Sequence, residues 1–241
     1  YYTLARDMGV DLMHDQMKPL GFGQITGIDI LGESRGVLPS TEWKRNTYKK
    51  PEQQRWYSGE TISLGIGQGY NNFTMLQIAH AMGTVANNGL KMKPHLVREV
   101  VDVETKASTL VAKEPIAQLP LLPENLEVIK KGMIGVNIEG TSATSFVGAQ
   151  YVSAGKTGTA QVFTVKQNEK YNASNIDERM RDHALFVAFA PADDPKVALA
   201  MVVENAGFGA QNAAPIARRV FDFVIMGQYP SQEDIEAVQK G

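Results

Sequence analysis

The chain has 241 residues, 43% of them hydrophobic and 21% charged, with 24 Lys and Arg against 26 Asp and Glu. This suits one large globular domain or a large piece of one. The near-neutral balance excludes an electrostatic grip on nucleic acid or on an anionic membrane. There is no cysteine, which excludes disulfides, Cys-ligated zinc and thiol chemistry within these residues. No stretch approaches the roughly 18 apolar residues of a membrane span, and no signal-peptide pattern occurs. The first residue is Tyr1, inside a helical pattern, so any membrane anchor is expected upstream.

Tyr1–Met8 reads as the tail of a helix that stops at Gly9. Asp11–Leu20 reads as a second helix, with Asp11 as N-cap and Gly21 past its end. Residues 21–60 are rich in Gly, Pro and charge and read as a long irregular excursion, a feature usually tied to function or motion. Thr74–Asn88 predicts a helix. Thr74 and Gln77 form a Thr-x-x-Gln capping box, and Leu76, Ile78, Ala79, Met82, Val85 and Ala86 make one apolar face. Gly89 fits the C′ position. Pro94–Val103 reads as a strand. Pro123–Asn137 reads as a helix with Leu126, Ile129, Met133 and Val136 in register.

Tyr151–Val162 reads as a strand, followed by a polar insertion over 163–182. His183–Ala190 is apolar on both faces and so belongs at the centre of a sheet. A turn at Pro191–Pro195 leads to Lys196–Glu204, a second buried strand antiparallel to the first. Ala213–Met226 predicts a helix with Ile216, Val220, Phe221, Val224 and Ile225 facing inward. The polar tail, 229–241, is expected to be poorly ordered. A meander of three strands packed by helices gives an α+β fold, an antiparallel sheet flanked by helices.

The strand at 151–162 carries the chemistry, in Lys156-Thr157-Gly158-Thr159. Alternation puts Thr157 and Thr159 on one face, where two hydroxyls can hold a carboxylate. Gly158 points the other way and lets backbone pack closely. Lys156 adds a cation suited to an anionic terminus. The Thr159 N–H can serve as an oxyanion donor if the strand lies at the edge of a cleft. Lys-Thr-Gly is one of three signatures of penicillin-recognising serine acyl-transferases, beside Ser-x-x-Lys and Ser-x-Asn or Ser-x-Asp. Ser153-Ala-Gly-Lys156 matches Ser-x-x-Lys literally. That pattern works on a helix, where i and i+3 share a face, whereas on a strand they point apart, so Ser153 reads as structural. His14, His80, His95 and His183 include no pair at metal-ligand spacing, and each reads as structural. Asp182-His183 stands out only as a packing or hydrogen-bonding element beside the sheet. Gly65-Ile-Gly-Gln-Gly69 lacks the Lys-Ser/Thr of a P-loop and the spacing of a dinucleotide fingerprint, and reads as a tight backbone passage.

Four segments taken together resemble the transpeptidase domain of class B penicillin-binding proteins. They are Gly65–Gly69, Gly155-Lys-Thr-Gly-Thr-Ala-Gln-Val-Phe163, Asn168-Glu-Lys-Tyr-Asn-Ala173 and Arg179-Met-Arg-Asp-His-Ala-Leu-Phe-Val-Ala-Phe-Ala-Pro191. The insertion after the Lys-Thr-Gly strand is similar to that of the elongation-specific group, penicillin-binding protein 2. The resemblance runs in one order from Tyr1 to about Gly227. It makes 1–228 the carboxy-terminal portion of a transpeptidase domain.

The resemblance implies a β-lactamase/transpeptidase-like fold and a D-Ala-D-Ala transpeptidase at the periplasmic face of the inner membrane. A serine attacks the stem peptide, D-alanine leaves, and a neighbouring stem amine resolves the acyl-enzyme. β-lactams are then inhibitors, and membrane glycosyltransferase and elongation-machinery proteins are partners. Carried onto this sequence, Thr157, Gly158 and Thr159 bind substrate. The Thr159 N–H is half of the oxyanion hole, and Lys156 supports the network around the second-motif serine. No cofactor, metal or nucleic acid is implied.

In relatives the second motif immediately precedes the segment matching Tyr1-Tyr2, and Ser-x-x-Lys lies further upstream. The nucleophilic serine is therefore expected outside these residues, the fold incomplete at its amino-terminal side, and the chain alone inert. A serine β-lactamase shares the strand but lacks the long insertion. A non-catalytic penicillin sensor or scaffold, and a division-specific paralogue, are the remaining alternatives.

Overall fold

The computed structural model describes residues 1–162 and 176–239; the 163–175 part of the insertion, including Asn168–Ala173, lies outside the described residues. Two compact units are present. One comprises Tyr1–Thr84 and Gly89–Pro120, the other Val85–Asn88 and Leu121–Gly241.

In the first unit, helix α1 (Tyr2–Met17) is interrupted at Gly9, whose φ of 76° and ψ of 161° are not helical. The break falls where a residue without Cβ permits it. Asp11 does not cap its own helix. Its carboxylate accepts the Thr41 N–H and Thr41 hydroxyl, both at 2.8 Å, at the start of α2 (Thr41–Thr47). An anion is favourable at that N-terminus. The excursion over 21–60 is thus irregular only in its first half. Beyond Ser40, which accepts the Trp43 N–H at 2.9 Å, it folds into α2, α3 (Pro51–Gln54) and α4 (Ser58–Leu64).

Lys44 holds these short helices together. Its buried ammonium donates to the Arg55 carbonyl at 2.8 Å and pairs with the Glu60 carboxylate. The rings of Trp56, Tyr57 and Tyr70 stand 5.4, 5.4 and 5.5 Å from it. The Tyr70 hydroxyl donates to the same Glu60 carboxylate at 2.8 Å. Burial works against the Glu60 charge. Hydrogen bonds from Lys44, the Tyr57 N–H and Tyr70 outweigh it and keep the carboxyl below its ordinary range.

The capping box forms as read. The Thr74 N–H donates to Gln77 Oε1 at 2.9 Å and the Gln77 N–H to Thr74 Oγ1 at 3.1 Å, opening α5 (Met75–Ala86). The amide of Gln77 also donates to the Gln24 and Arg35 carbonyls at 2.6 and 2.7 Å. Gln77 is therefore buried, and the buried line of α5 runs Gln77, Ala81, Thr84. Of the six residues expected on the apolar face, only Ala86 is fully buried. The left-handed turn after α5 begins at Asn88 (φ 54°), one residue before Gly89 (φ 86°). The Gly89 N–H closes it on the Thr84 carbonyl at 2.8 Å.

The strand expected over 94–103 is reduced. β1 (Leu90–Met92) precedes it, and only β2 (Glu99–Val101) forms within it, paired with β3 (Ser108–Leu110). β1 pairs with β4 (Pro115–Gln118). The Leu96 and Val97 N–H groups go instead to the Asp29 carboxylate at 2.7 and 2.9 Å, which removes them from any ladder.

The second unit holds α6 (Pro123–Ile138), α7 (Ala143–Phe146), β5 (Ala154–Ala160), β6 (His183–Ala190), β7 (Val197–Val203), α8 (Gly209–Asn212), α9 (Ala214–Met226) and α10 (Gln232–Gln239). The strands pair antiparallel in the order β5-β6-β7, with β6 central. Ala184, Phe186, Ala188 and Ala190 of β6 form the core with Phe146, Ala213, Ala214, Ala217 and Phe221. Small residues on both sides let α9 lie close to the sheet.

The inward face of α9 differs from the expected one. Ala214, Ala217, Arg218, Phe221 and Asp222 are buried, whereas Val220 and Val224 are exposed. A satisfied ion pair takes the place of the valines. Arg218 Nε donates to Asp222 at 2.7 Å, Tyr151 donates to Asp222 at 2.9 Å, and the guanidinium reaches the Val147 carbonyl at 3.1 Å. The polar tail forms α10, and Asp234 at its start pairs with Arg219 of α9 at 2.5 Å.

Candidate active site

β5 carries Lys156–Thr159 along one edge of the three-stranded sheet, in unshifted register. Lys156 lies opposite Val187, Thr157 opposite Phe186, Gly158 opposite Leu185 and Thr159 opposite Ala184. On an edge strand alternate main-chain groups point away from the neighbouring strand. The strand also leaves the core as it enters the motif, since Ala154 and Gly155 are buried, Lys156 is exposed, and Thr157 through Ala160 are half-buried. Regular pairing keeps Thr157 and Thr159 on a common face. Lys156 Nζ donates to the Thr157 carbonyl at 2.6 Å.

The glycines here are set by contact. A Cβ on Gly155 would come within 2.5 Å of Phe186 Cζ and 3.0 Å of Asn137 Oδ1. A Cβ on Gly158 would meet Leu185 Cβ at 3.1 Å. The main chain at Gly209 rests on this point. A Cβ there would lie 2.1 Å from the Leu185 carbonyl oxygen and 2.4 Å from that of Gly158. The close backbone approach expected of Gly158 is thus made possible by Gly209, whereas the space beside Gly158 itself is taken by the Leu185 side chain.

Two features escape sequence reading. The Thr157 hydroxyl lies 2.9 Å from the hydroxyl of Thr141, in the turn after α6. Beside it is a buried polar knot. Asn137 donates to Ser153 Oγ at 2.8 Å, and Ser142 Oγ donates to Asn137 Oδ1 at 2.7 Å. The available signals are an Asn one residue beyond the apolar register of α6 and the run Gly140-Thr141-Ser142 at its end. Ser153 is buried and spent on Asn137, in keeping with its reading as structural.

The histidines are occupied with main-chain groups. His14 faces the Pro39 carbonyl at 3.3 Å, His95 that of Val97 at 2.8 Å and His80 that of Met92 at 2.6 Å. Burial pushes His80 below its ordinary 6.5, against the opposing pull of the Met92 carbonyl. His183 Nδ1 accepts the Asn205 N–H at 2.9 Å, which places the neutral ring's proton on Nε2. Next to it the Asp182 carbonyl accepts the Gly207 N–H at 2.7 Å. Asp182-His183 is thus a hydrogen-bonding element beside the sheet. In the first unit, Gly65 passes tightly against α1, where an added Cβ would meet Ala5 Cβ at 2.3 Å. Among the described residues no cluster of His, Asp and Glu forms a metal-ligand set.

The family described as the penicillin binding protein transpeptidase domain matches residues 1–222. The chain belongs to that family. Its relatives include the peptidoglycan D,D-transpeptidase MrdA of Haemophilus influenzae, 41% identical over 235 residues, which are 97% of this chain and 35% of that protein. The structure of Pseudomonas aeruginosa PBP2 in complex with WCK 5153 matches with a TM-score of 0.74 and 36% identity, over 96% of this chain and 46% of that one. Helicobacter pylori PBP2 in its complex with MreC matches at 0.73 and 26% identity, over 94% and 38%. The chain therefore spans 35% of the curated relative's length. It shares the mixed helix and antiparallel-sheet fold of penicillin-binding transpeptidase domains.

Proposed function

We propose that the protein carrying this chain is a serine-type peptidoglycan D,D-transpeptidase of cell-wall elongation, anchored in the inner membrane and facing the periplasm. In this reading β5 is its substrate strand. The observation that carries it is the placement of Lys156–Thr159 on a sheet edge, where the strand leaves the core and offers a cation and two hydroxyls. Thr157 and Thr159 bind the terminal carboxylate of a D-Ala-D-Ala stem. The Thr159 N–H is one oxyanion donor, and Lys156 supports the second-motif serine. A serine outside these residues attacks the penultimate carbonyl, the peptide C–N bond breaks, and D-alanine leaves as the amine. A neighbouring stem amine then displaces the serine and forms the cross-link. The relatives' names support this chemistry, and the H. pylori complex with MreC supports an elongation-machinery partner. A membrane glycosyltransferase partner belongs to the same proposal.

The test is covalent labelling of the full-length protein with a fluorescent penicillin, followed by peptide mapping and a cross-linking assay on stem peptides. The expected result is one persistent adduct on a serine outside residues 1–241, a cross-linked product, and no adduct on the 241-residue chain by itself. Rapid hydrolysis of the adduct would indicate a β-lactamase. An adduct on Ser153 would overturn the assignment of the strand.

A further inference from the structure

The sequence motif contains Thr157 but not the group that its hydroxyl meets. Thr141 Oγ1, on an exposed residue, lies 2.9 Å from Oγ1 of the half-buried Thr157. We propose that Thr141 is a positioning residue for the carboxylate site. In this assignment its hydroxyl donates to Thr157 Oγ1 and thereby fixes the direction in which Thr157 presents its own proton. The inference rests on the reading above that Thr157 binds the substrate carboxylate.

The argument begins with proton counting. A hydroxyl has one proton and two lone pairs. Two hydroxyls at 2.9 Å share one hydrogen bond, and only one of them donates. If Thr157 donated to Thr141, its single proton would be spent and its lone pairs would face an anionic ligand. If Thr141 donates, the Thr157 proton is left for the ligand. The incoming bond also polarises the Thr157 O–H, which strengthens its donation. A carboxylate accepts only, so its arrival selects the second arrangement.

The backbone around Thr141 is built to hold it in place. Gly140 turns back onto α6, with its N–H on the Gly135 carbonyl at 2.9 Å. A Cβ at Gly140 would lie 2.7 Å from Val136 Cα, so the turn requires glycine. On the other side the Ser142 N–H reaches the Val136 carbonyl at 3.2 Å, and Ser142 Oγ donates to Asn137. Asn137 in turn donates to Ser153, one residue before β5. One buried amide therefore ties both the turn bearing Thr141 and the strand bearing Thr157. This ties the spacing of the two hydroxyls to the packing of α6 against β5.

The experiment uses the full-length protein and its Thr141→Val, Thr141→Ser and Thr157→Val variants. Acylation rate constants are measured with a penicillin bearing its free carboxylate and with the same penicillin as its methyl ester. A structural role would slow both probes equally; a role in orienting a donor acts on the anion. Thr141→Val is expected to slow the free acid about 3–10-fold more than the ester, in line with the loss of one neutral hydrogen bond. Thr141→Ser should restore most of the difference. If Thr157→Val discriminates acid from ester and Thr141→Val does not, this inference is wrong while the carboxylate assignment stands. If Thr157→Val fails to discriminate, the carboxylate assignment itself falls, and the role of Thr141 with it.

Discussion

Lys44 and Lys156 are the same side chain in opposite surroundings. The ammonium of Lys44 is 4% exposed and paired with a carboxylate that is itself 23% exposed. It is also bonded to a carbonyl and boxed by three aromatic rings. Lys156 stands exposed on a sheet edge, and its ammonium donates to the carbonyl of the next residue. A cation in the first setting supplies stability, because its ammonium is paired with a carboxylate, bonded to a carbonyl and enclosed by rings. A cation in the second contributes little to stability and is available to an anionic ligand. The comparison separates a residue that builds the fold from one proposed to serve the chemistry.

The sharpest way to break it is to remove each charge in the full-length protein. Lys156→Met should slow acylation by a penicillin about 10²–10³-fold, the usual cost of losing a preorganised electrostatic group, while leaving the thermal midpoint in place. A fall in stability with unchanged acylation would reverse the assignment. Lys44→Met should destabilise by about 3 kcal/mol, the low end for breaking a buried pair, because Glu60 retains some solvent. Denaturant titration checks this. Asn137→Ala should cost about 1–3 kcal/mol, because it takes the donor from the buried Ser153 hydroxyl and leaves Ser142 only its Val136 carbonyl. Ser153→Ala should cost about 1 kcal/mol and leave the penicillin adduct intact; a lost adduct would make Ser153 the nucleophile.

The smallest effect concerns His80. Burial holds its folded pKa below the ordinary 6.5, so the folded state disfavours the protonated ring. Its contribution to stability is complete above 6.5 and is lost as pH falls below that value toward the folded pKa. His80→Gln should flatten that part of the stability profile measured from about pH 7.5 down to about pH 5. An unchanged slope would show that other groups carry it.

Much of the scaffold was legible because it rests on local rules. The capping box of Thr74 and Gln77, the interruption at Gly9 and the central strand His183–Ala190 all follow from short-range pattern, and the structure shows each. The misses share a different cause. Asp11, Asp29 and Gln77 spend their polar atoms on segments distant in sequence, and periodicity carries no such information. On α9 the pair Arg218–Asp222 is buried where hydropathy favours Val220 and Val224. Desolvated charge with good partners is invisible to a hydrophobic pattern. The motif Lys156–Thr159 was legible as a unit, whereas Thr141 was not, since it meets Thr157 only after α6 has packed on β5.

The most direct test of the account is a crystal structure of the full-length protein acylated by a penicillin. The account predicts the ligand carboxylate within hydrogen-bond distance of the Thr157 and Thr159 hydroxyls, and the acyl oxygen on the Thr159 N–H. An ordered acyl group whose carboxylate lies away from Lys156–Thr159 would contradict it.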